Sequence, residues 1–211
     1  TVGYQPDELE IVGEYIYVAN SGGYRVPKYD YTASVVEMYG MTQVEKIPVG
    51  INLHRIEADK YGKLWVTSRG NYGSVRSKMF VLERENKFSH KMVVTDTLDI
   101  PCSEMCIQGD SLYFYSVEWN NQEERNNITY GIINVRTREL ITDHFITDGT
   151  EQNIEIPYGI NVNPANGDIY VTDAKNYVSS GALHCYSREG KKKWSVRAGD
   201  IPAHMVFLFK K

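Results

Sequence analysis

A short apolar run followed by an aromatic residue occurs four times in this chain of 211 residues. The runs are anchored at Ile16, Leu64, Leu112 and Ile169, which are 48, 48 and 57 residues apart. A period in this range indicates an array of similar structural units, and overlooking it would give the wrong fold. The repeat therefore constrains the fold more than any other feature of the sequence.

Each copy of the repeat is predicted to form four short β-strands, which we call A to D in chain order. In the second copy the predicted strands are residues 50–58, 64–68, 78–83 and roughly 93–98. Helical patterning is nearly absent, and glycine-containing turns separate the strands. These features favour the blades of a β-propeller. A β-sandwich is the rival, but it would not need the same strand–turn–strand phrase four times.

We therefore predict an all-β chain that forms a single β-propeller domain of four four-stranded blades. The predicted blades are residues 3–49, 50–99, 100–156 and 157–198. The extra residues of the third copy are expected in loops, within 120–127 and near 148–150.

The last residues, 199–211, match the opening of a further copy and predict one orphan inner strand. An unpaired strand edge is a liability that native proteins cover. We expect this chain to be the C-terminal part of a larger propeller, with seven blades as the first choice. Missing blades or a second chain would then cover the open edges.

Composition excludes several classes of function. The net charge is −4 and no basic stripe is present, which argues against nucleic-acid binding. Three cysteines without a CxxC motif argue against a disulfide framework or a zinc site, so we interpret them as small core residues. No apolar stretch is long enough for a transmembrane helix, and no cofactor or metal is predicted.

The aromatic residues of the repeat give the first indication of function. In a propeller, the B–C loops and the D–A loops open on one face around the axis. Tyr24, Tyr72, Trp119 and Tyr177 are predicted in the four B–C loops, each beside an amide or charged side chain. Such a rim suits a large amphipathic ligand, although packing of the rings between blades is the alternative.

The predicted ligand-binding residues come from both sets of loops. They are Asn20, Tyr24, Arg25, His54, Arg55, Arg69, Asn71, Tyr72, Glu118, Trp119, Tyr158, Lys175, Asn176, Tyr177 and His204.

His54 and His204 occupy corresponding places near the start of strand A. Both are candidates for acid–base groups, metal ligands or axial ligands of a corrin, against the alternative of hydrogen-bonded structural histidines. No hydrolase, phosphate-loop or EF-hand motif is present. A lactonase- or lyase-like enzyme with Asp7, Asn52 and Glu104 at the channel is the alternative function, and a protein-interaction scaffold is a third.

Several phrases carry a resemblance to a known family. Residues 17–21, 157–164 and 170–173 resemble the YVTN or YncE-like propeller repeat. Residues 18–24 and 199–204 are similar, more specifically, to DUF5074-type surface-layer propellers exported by Gram-negative gut bacteria. The resemblance covers essentially the whole chain.

The resemblance implies a seven-bladed, lipid-anchored protein of the outer membrane. That group is similar to surface propellers that capture cobalamin and pass it to an outer-membrane transporter. On this basis we expect a non-enzymatic protein that captures a nutrient, with a corrinoid as the first candidate. The resemblance would make Tyr24, Tyr72, Trp119 and Tyr177 contacts of the corrinoid.

Overall fold

The computed structural model describes residues 1–120 and 122–209. In this part of the chain, sixteen strands form four four-stranded antiparallel sheets. Two short 3₁₀ turns lie at Gly23–Arg25 and Thr150–Asn153. The chain divides into two compact units, Thr1–Ser103 (unit 1) and Glu104–Lys211 (unit 2), and each contains two sheets.

Unit 1 contains sheets 1 and 2, in which sequence neighbours pair with one another. Sheet 1 has the order β1 (Pro6–Val12), β2 (Tyr15–Asn20), β3 (Thr32–Glu37) and β4 (Thr42–Pro48). Sheet 2 has the order β5 (Leu53–Ala58), β6 (Leu64–Ser68), β7 (Lys78–Arg84) and β8 (Met92–Leu98).

Unit 2 contains sheets 3 and 4 and repeats this meander. Sheet 3 consists of β9 (Glu104–Gln108), β10 (Ser111–Asn120), β11 (Arg125–Asn134) and β12 (Leu140–Thr142). Sheet 4 consists of β13 (Pro157–Val162), β14 (Ile169–Asp173), β15 (Ser180–Tyr186) and β16 (Lys192–Asp200). The prediction of four four-stranded blades in an all-β chain is confirmed.

Each unit has its own apolar core, to which the second and third strands of its sheets contribute the largest share of the residues. All five residues of β6 are buried, as expected for a strand covered on both faces. The core of unit 1 includes Tyr17, Val35, Leu53, Leu64, Val66 and Leu82. The core of unit 2 includes Tyr113, Tyr130, Phe145, Ile169, Val171 and Tyr186. Full burial of one such aliphatic side chain contributes about 1.5–3 kcal/mol. The three cysteines are also buried, which agrees with their interpretation as small core residues.

The first strands of the two sheets of unit 1 run side by side. A carboxylate oxygen of Glu8 accepts a hydrogen bond from the backbone N–H of Ile56 at 2.9 Å. Glu10 accepts one from the N–H of Ala58 at 3.3 Å. Both contacts span 48 residues, which is the period of the sequence repeat. The constant offset shows that β1 and β5 run in the same direction, as the inner strands of adjacent blades do.

Within the described residues, the segment predicted as an orphan inner strand, 199–211, is not paired in any strand beyond Asp200. Gly199 and Asp200 end β16, and residues 201–209 belong to no strand. Residues 210 and 211 lie outside the described residues. In the described part of the chain no strand pairs with residues 201–209, as expected for an inner strand whose partner strands are not in this chain.

The segment 201–209 nevertheless lies against sheet 4. The hydroxyl of Thr172 donates to the carbonyl oxygen of Pro202 at 2.6 Å, and the side-chain amide of Asn161 donates to that of Met205 at 2.9 Å. Ile201 has φ 47°, which matches the left-handed residues that precede β1 and β5, namely Gln5 at 48° and Asn52 at 53°. The chain therefore turns here as it does before an inner strand.

The prediction that Trp119 lies in a loop is wrong. β10 continues to Asn120, and Glu118 and Trp119 pair with Asn127 and Asn126 of β11. The polar insertion at 120–127 is thus largely a longer hairpin rather than a loop, with Asn121 outside the described residues. Polar and apolar residues alternate at 127–130, which permits this strand, but the polar residues at 120–127 suggested a loop.

Candidate functional site

A series of backbone hydrogen bonds joins the loops at one end of unit 1. The N–H of Ser21 donates to the oxygen of Gln5 at 3.0 Å, and that of Asp30 donates to Ser21 at 3.1 Å. The N–H of Asn52 donates to Asp30 at 2.9 Å, and that of Arg69 donates to Asn52 at 3.0 Å. The loops before β1 and β5 and those after β2 and β6 therefore share one end of unit 1. This bonding limits their freedom before any ligand binds.

Tyr72 projects from the loop after β6 in an unusual conformation. Its φ is 57°, in the left-handed region, and its side chain is 75% exposed. Gly70, two residues before Tyr72, has φ 66°. A Cβ atom at this position would clash, because it would lie 2.0 Å from the carbonyl oxygen of Val75. Asn71 closes the loop by accepting hydrogen bonds from the N–H groups of Gly73 and Val75, at 3.0 and 2.8 Å. The loop geometry thus places the Tyr72 ring in solvent.

Tyr177 occupies the same place in the loop after β14 of unit 2. Its φ is 62°, and it is 49% exposed. Its ring meets that of Tyr158 on β13 edge to face, with the ring centroids 5.7 Å apart. Left-handed backbone is rare for a bulky residue and costs about 1–2 kcal/mol. Two tyrosines with this conformation at equivalent repeat positions are therefore a specific feature of the chain.

The asparagines beside these tyrosines have a structural role. Asn71 donates to the hydroxyl of Ser74 at 3.2 Å, and Asn176 donates to that of Ser179 at 3.1 Å. Asn176 also accepts from the N–H groups of Val178 and Ser179, as Asn71 does from its own loop. These contacts give Asn71 and Asn176 a structural reason to stand beside the tyrosines, so their position alone does not indicate ligand binding. The sequence does carry a signal for this structural role: the spacing Asn-x-x-Ser is typical of a turn that is closed by side-chain hydrogen bonds.

The other two repeat aromatics are also exposed. Tyr24 lies in the 3₁₀ turn after β2, and its backbone N–H donates to the side chain of Gln5 at 2.8 Å. The guanidinium of Arg25 lies 3.7 Å from the centre of the Tyr4 ring, a cation–π contact. Trp119 is exposed near the end of β10.

Three charged or polar side chains of unit 1 form one connected cluster. A carboxylate oxygen of Asp7 lies 2.8 Å from Nδ1 of His54 and 3.1 Å from a guanidinium nitrogen of Arg69. A second guanidinium nitrogen of Arg69 lies 3.1 Å from Nε2 of His54. Because a guanidinium only donates, Nε2 accepts and Nδ1 carries the proton that is donated to Asp7. His54 is thus held as one neutral tautomer.

The electrostatics of the cluster agree with a neutral imidazole. Burial lowers the pKa of His54 from 6.5 to about 4. The charges of Arg55 and Arg69 act in the same direction, whereas Asp7 acts in the opposite direction. Burial alone would raise the pKa of Asp7. The hydrogen bond from His54 and the arginine charges outweigh it and hold that pKa below its usual 3.8. Both ring nitrogens of His54 are engaged, which favours the alternative of a hydrogen-bonded structural histidine over an acid–base group, metal ligand or axial ligand.

The remaining predicted residues are placed differently. Asn20 is fully buried and donates to the carbonyl oxygen of Thr32 at 2.8 Å, so it cannot contact a ligand as predicted. Arg55 lies 3.5 Å from a carboxylate oxygen of Glu8. His204 is exposed within the segment 201–209, and Lys175 lines a groove of unit 2.

The structure brings together His54 with Arg69, and Tyr158 with Tyr177, among the predicted residues. Sequence reasoning missed the partnership of Asp7 with His54, which are 47 residues apart. The positive φ of Tyr72 and Tyr177 was missed as well, because tyrosine carries no local signal for it.

No cluster of three or more His, Cys, Asp or Glu side chains that could hold a metal is found among residues 1–120 and 122–209. Within the same residues, no helix has the length and apolar character needed to cross a membrane.

Comparison with solved structures supports the fold. The chain is similar to hydrazine synthase of Kuenenia stuttgartiensis, with a TM-score of 0.61 and 14% identity over 92% of this chain and 54% of that one. It is also similar to the Dos1 propeller, with a TM-score of 0.57 and 11% identity over 89% of this chain and 45% of that one. This chain therefore spans about half the length of these structures. No protein-family model and no curated protein matches the sequence. With its four four-stranded meander sheets, the chain has the β-propeller fold.

Proposed function

We propose that this chain is a non-enzymatic binding propeller that captures a small amphipathic ligand on its aromatic loops. The observation that carries the proposal is the conformation of Tyr72, whose ring is 75% exposed on a left-handed backbone. Glycine or asparagine would occupy this position with less strain. An exposed ring adds little to the core, so a contact with another molecule gives a reason for keeping it.

The equivalent tyrosine of unit 2 supports the same interpretation. Tyr177 has the same left-handed backbone, and Tyr158 packs on its ring edge to face. Both rings remain partly exposed. A partly exposed aromatic pair offers a flat apolar surface with phenolic hydroxyls at its edge, which suits the stacking of a large conjugated or sugar-like ligand.

Within unit 1, the Asp7–His54–Arg69 cluster places a charged group next to the loop that carries Tyr72. Arg69 precedes the Tyr72 loop directly, and Asp7 and His54 hold its guanidinium through two of its nitrogens. A guanidinium has five N–H donors in a fixed fork. Held in this way, it can donate to amide or carboxylate oxygens of a ligand without a large loss of side-chain freedom.

A corrinoid is the first candidate ligand, on the strength of the sequence resemblance. A corrin carries a conjugated ring with peripheral amides, which fits rings beside hydrogen-bond donors. The same resemblance underlies our proposal that the protein is exported, lipid-anchored at the cell surface and coupled to an outer-membrane transporter. We further propose that additional blades, from a longer chain or a second one, complete the ring.

The test is isothermal titration of the chain with cobalamin, cobinamide and a small set of glycans. Tyr72→Ala should weaken binding of the active ligand by about fivefold or more, since an aromatic stack contributes about 1–3 kcal/mol. Tyr39→Ala is the matched control, because Tyr39 is equally exposed but lies in the turn between β3 and β4. Binding that is unchanged in Tyr72→Ala, or absent for all these ligands, would overturn the proposal.

A further inference from the structure

Unit 2 contains an open groove of about 410 Å³ between the loop after β14 and the strands β15 and β16. Two of its lining side chains are cationic, Lys175 and Arg197, and three carry hydroxyls. The hydroxyl-bearing residues are Ser179, Ser180 and Ser195. None of the lining residues is acidic. The composition of the groove thus combines positive charge with neutral donors.

Arg197 is held on the groove side of sheet 4. One of its guanidinium nitrogens donates to the hydroxyl of Ser180 at 2.8 Å. Arg197 is also paired directly with Ala182 across β15 and β16, and directly paired residues share a face of the sheet. The contact with Ser180 uses one of five N–H donors of the guanidinium, so the others remain for a ligand.

A buried histidine lies on the same face of the sheet. His184 pairs directly with Ser195, one of the groove residues. It is 5% exposed, and neither ring nitrogen makes a hydrogen bond to the described residues. A buried polar group without a partner costs free energy, and such groups call for an explanation.

The charges around His184 also mark the groove as positive. Burial, followed by the charges of Lys192 and Lys175, lowers the pKa of His184, while Asp173 acts in the opposite direction. Lys175 lines the groove itself. An anion bound in the groove would offset these two lysine charges.

We infer that this groove is a binding site for a tetrahedral oxyanion, a phosphate or sulfate group, held by Lys175, Arg197 and the serine hydroxyls. A tetrahedral oxyanion has several acceptor oxygens and fits a guanidinium, an ammonium and hydroxyls together. A neutral sugar would not need two cations. This site goes beyond the proposed function, because Tyr177 and Tyr158 are not among its lining residues.

The experiment measures binding of inorganic phosphate, sulfate, methyl phosphate and acetate by NMR titration at constant ionic strength. Phosphate and sulfate should shift the resonances of residues 175–182 and 195–197 saturably. Methyl phosphate is a phosphate ester. Binding of methyl phosphate as tight as that of inorganic phosphate indicates that the groove can take an ester group of a larger ligand, and weaker binding indicates the free ion. Acetate that binds as tightly as phosphate would overturn the tetrahedral assignment, and so would the absence of saturable shifts.

The variants separate this site from general surface charge. The double variant Lys175→Gln, Arg197→Gln should bind phosphate at least about tenfold more weakly, whereas Arg188→Gln removes an exposed cation in the turn before β16 and should change nothing. The imidazole resonances of His184 give an independent readout, since bound phosphate should move its titration to higher pH. Equal phosphate binding in the double variant and the parent chain would overturn the inference. Tyr177→Ala should leave phosphate binding intact. A failure of the proposed aromatic site can therefore be distinguished from a failure of the anion site.

Discussion

Asp7 accepts a hydrogen bond from Nδ1 of His54 at 2.8 Å, across 47 residues of sequence and between the first strands of two sheets. This contact fixes the imidazole so that its other nitrogen accepts from Arg69. His54 is therefore a hydrogen-bonded connector that positions an arginine. Nε2 can accept from Arg69 only while His54 is neutral. Protonation of His54 would break this contact, so the cluster is sensitive to acid.

The first prediction concerns the pH dependence of stability. The pKa of His54 falls from 6.5 to about 4 on folding, so the unfolded chain takes up a proton first. The free energy of unfolding should therefore decrease as the pH falls from about 6.5 to about 4, by up to about 3 kcal/mol. Urea denaturation across this interval measures it. His54→Gln should flatten the dependence, and His204→Gln, at an exposed position, should not.

The lowered pKa of Asp7 has a separate effect at lower pH. Its stabilising contribution is present above the unfolded value of 3.8 and is lost as the pH falls through the lower folded value. Stability that increases as the pH falls from 6.5 to 4 would contradict the assignment of His54, and stability that stays constant below pH 3.8 would contradict that of Asp7.

The second prediction concerns removal of the Asp7 charge. Asp7→Asn keeps the shape but removes the carboxylate that pairs with Arg69 at 3.1 Å and with His54. The free energy of unfolding should fall by about 1–3 kcal/mol, because two partners lose a charged acceptor in a partly buried place. Asp143→Asn, at an exposed position, is the control and should change it by less than about 0.5 kcal/mol. Equal stability of Asp7→Asn and the parent chain would show that the cluster contributes nothing.

These two predictions rest on contacts that the sequence did not reveal, while the sheets themselves were readable from it. Residues 64–68 were predicted as a strand, and β6 has the same bounds, because its buried run lies between two turns. The partners of His54 could not be found this way, since they lie 47 and 15 residues away and depend on the packing of neighbouring strands. Local patterns show strands and turns but not which side chains meet.

Two segments, at 119–127 and at 201–209, differ from the regular repeat for a common reason. The pairing of Trp119 with Asn126 extends β10 into a polar stretch, and the segment 201–209 is inner-strand-like in sequence but has no paired strand. In both cases strand pairing decides the structure, whereas the prediction rested on the sequence repeat. The left-handed tyrosines are a further example, because loop closure by Asn71 and Asn176 imposes a conformation that tyrosine does not favour.

The third prediction separates strain from steric clash in two glycines of unit 1. Gly62 and Gly70 both have positive φ, at 78° and 66°. A Cβ at Gly62 meets nothing within 4 Å, whereas one at Gly70 would lie 2.0 Å from the oxygen of Val75. Gly62→Ala should cost about 1–2 kcal/mol through backbone strain alone.

Gly70→Ala should cost more than Gly62→Ala and should also displace the Tyr72 loop. Chemical denaturation gives the two free energies, and hydrogen exchange at Gly73 and Val75 reports on the loop, since their N–H groups donate to Asn71. Similar costs for the two substitutions would show that the loop relaxes around a methyl group, and would weaken the argument that it is preorganised.

The fourth prediction tests whether the segment 201–209 is held specifically by sheet 4. A Cβ at Gly159 would lie 1.7 Å from the carbonyl oxygen of Ala203, and the backbone of Gly159 has no positive φ. Gly159→Ala should therefore displace the segment without straining β13. Gly199→Ala is the matched control, because a Cβ there meets nothing within 4 Å.

In Gly159→Ala, limited proteolysis should cleave the segment faster, and the Tyr170 and Phe207 rings, whose centroids are 5.2 Å apart, should lose their contact. Ring resonances in an NMR spectrum report that loss directly. The Gly199→Ala chain should retain both the protection and the ring contact. If both variants behave like the parent chain, the hydrogen bonds from Thr172 and Asn161 to the segment tolerate a shift of its backbone. The position next to β13 would then be adaptable rather than shaped for one inner strand.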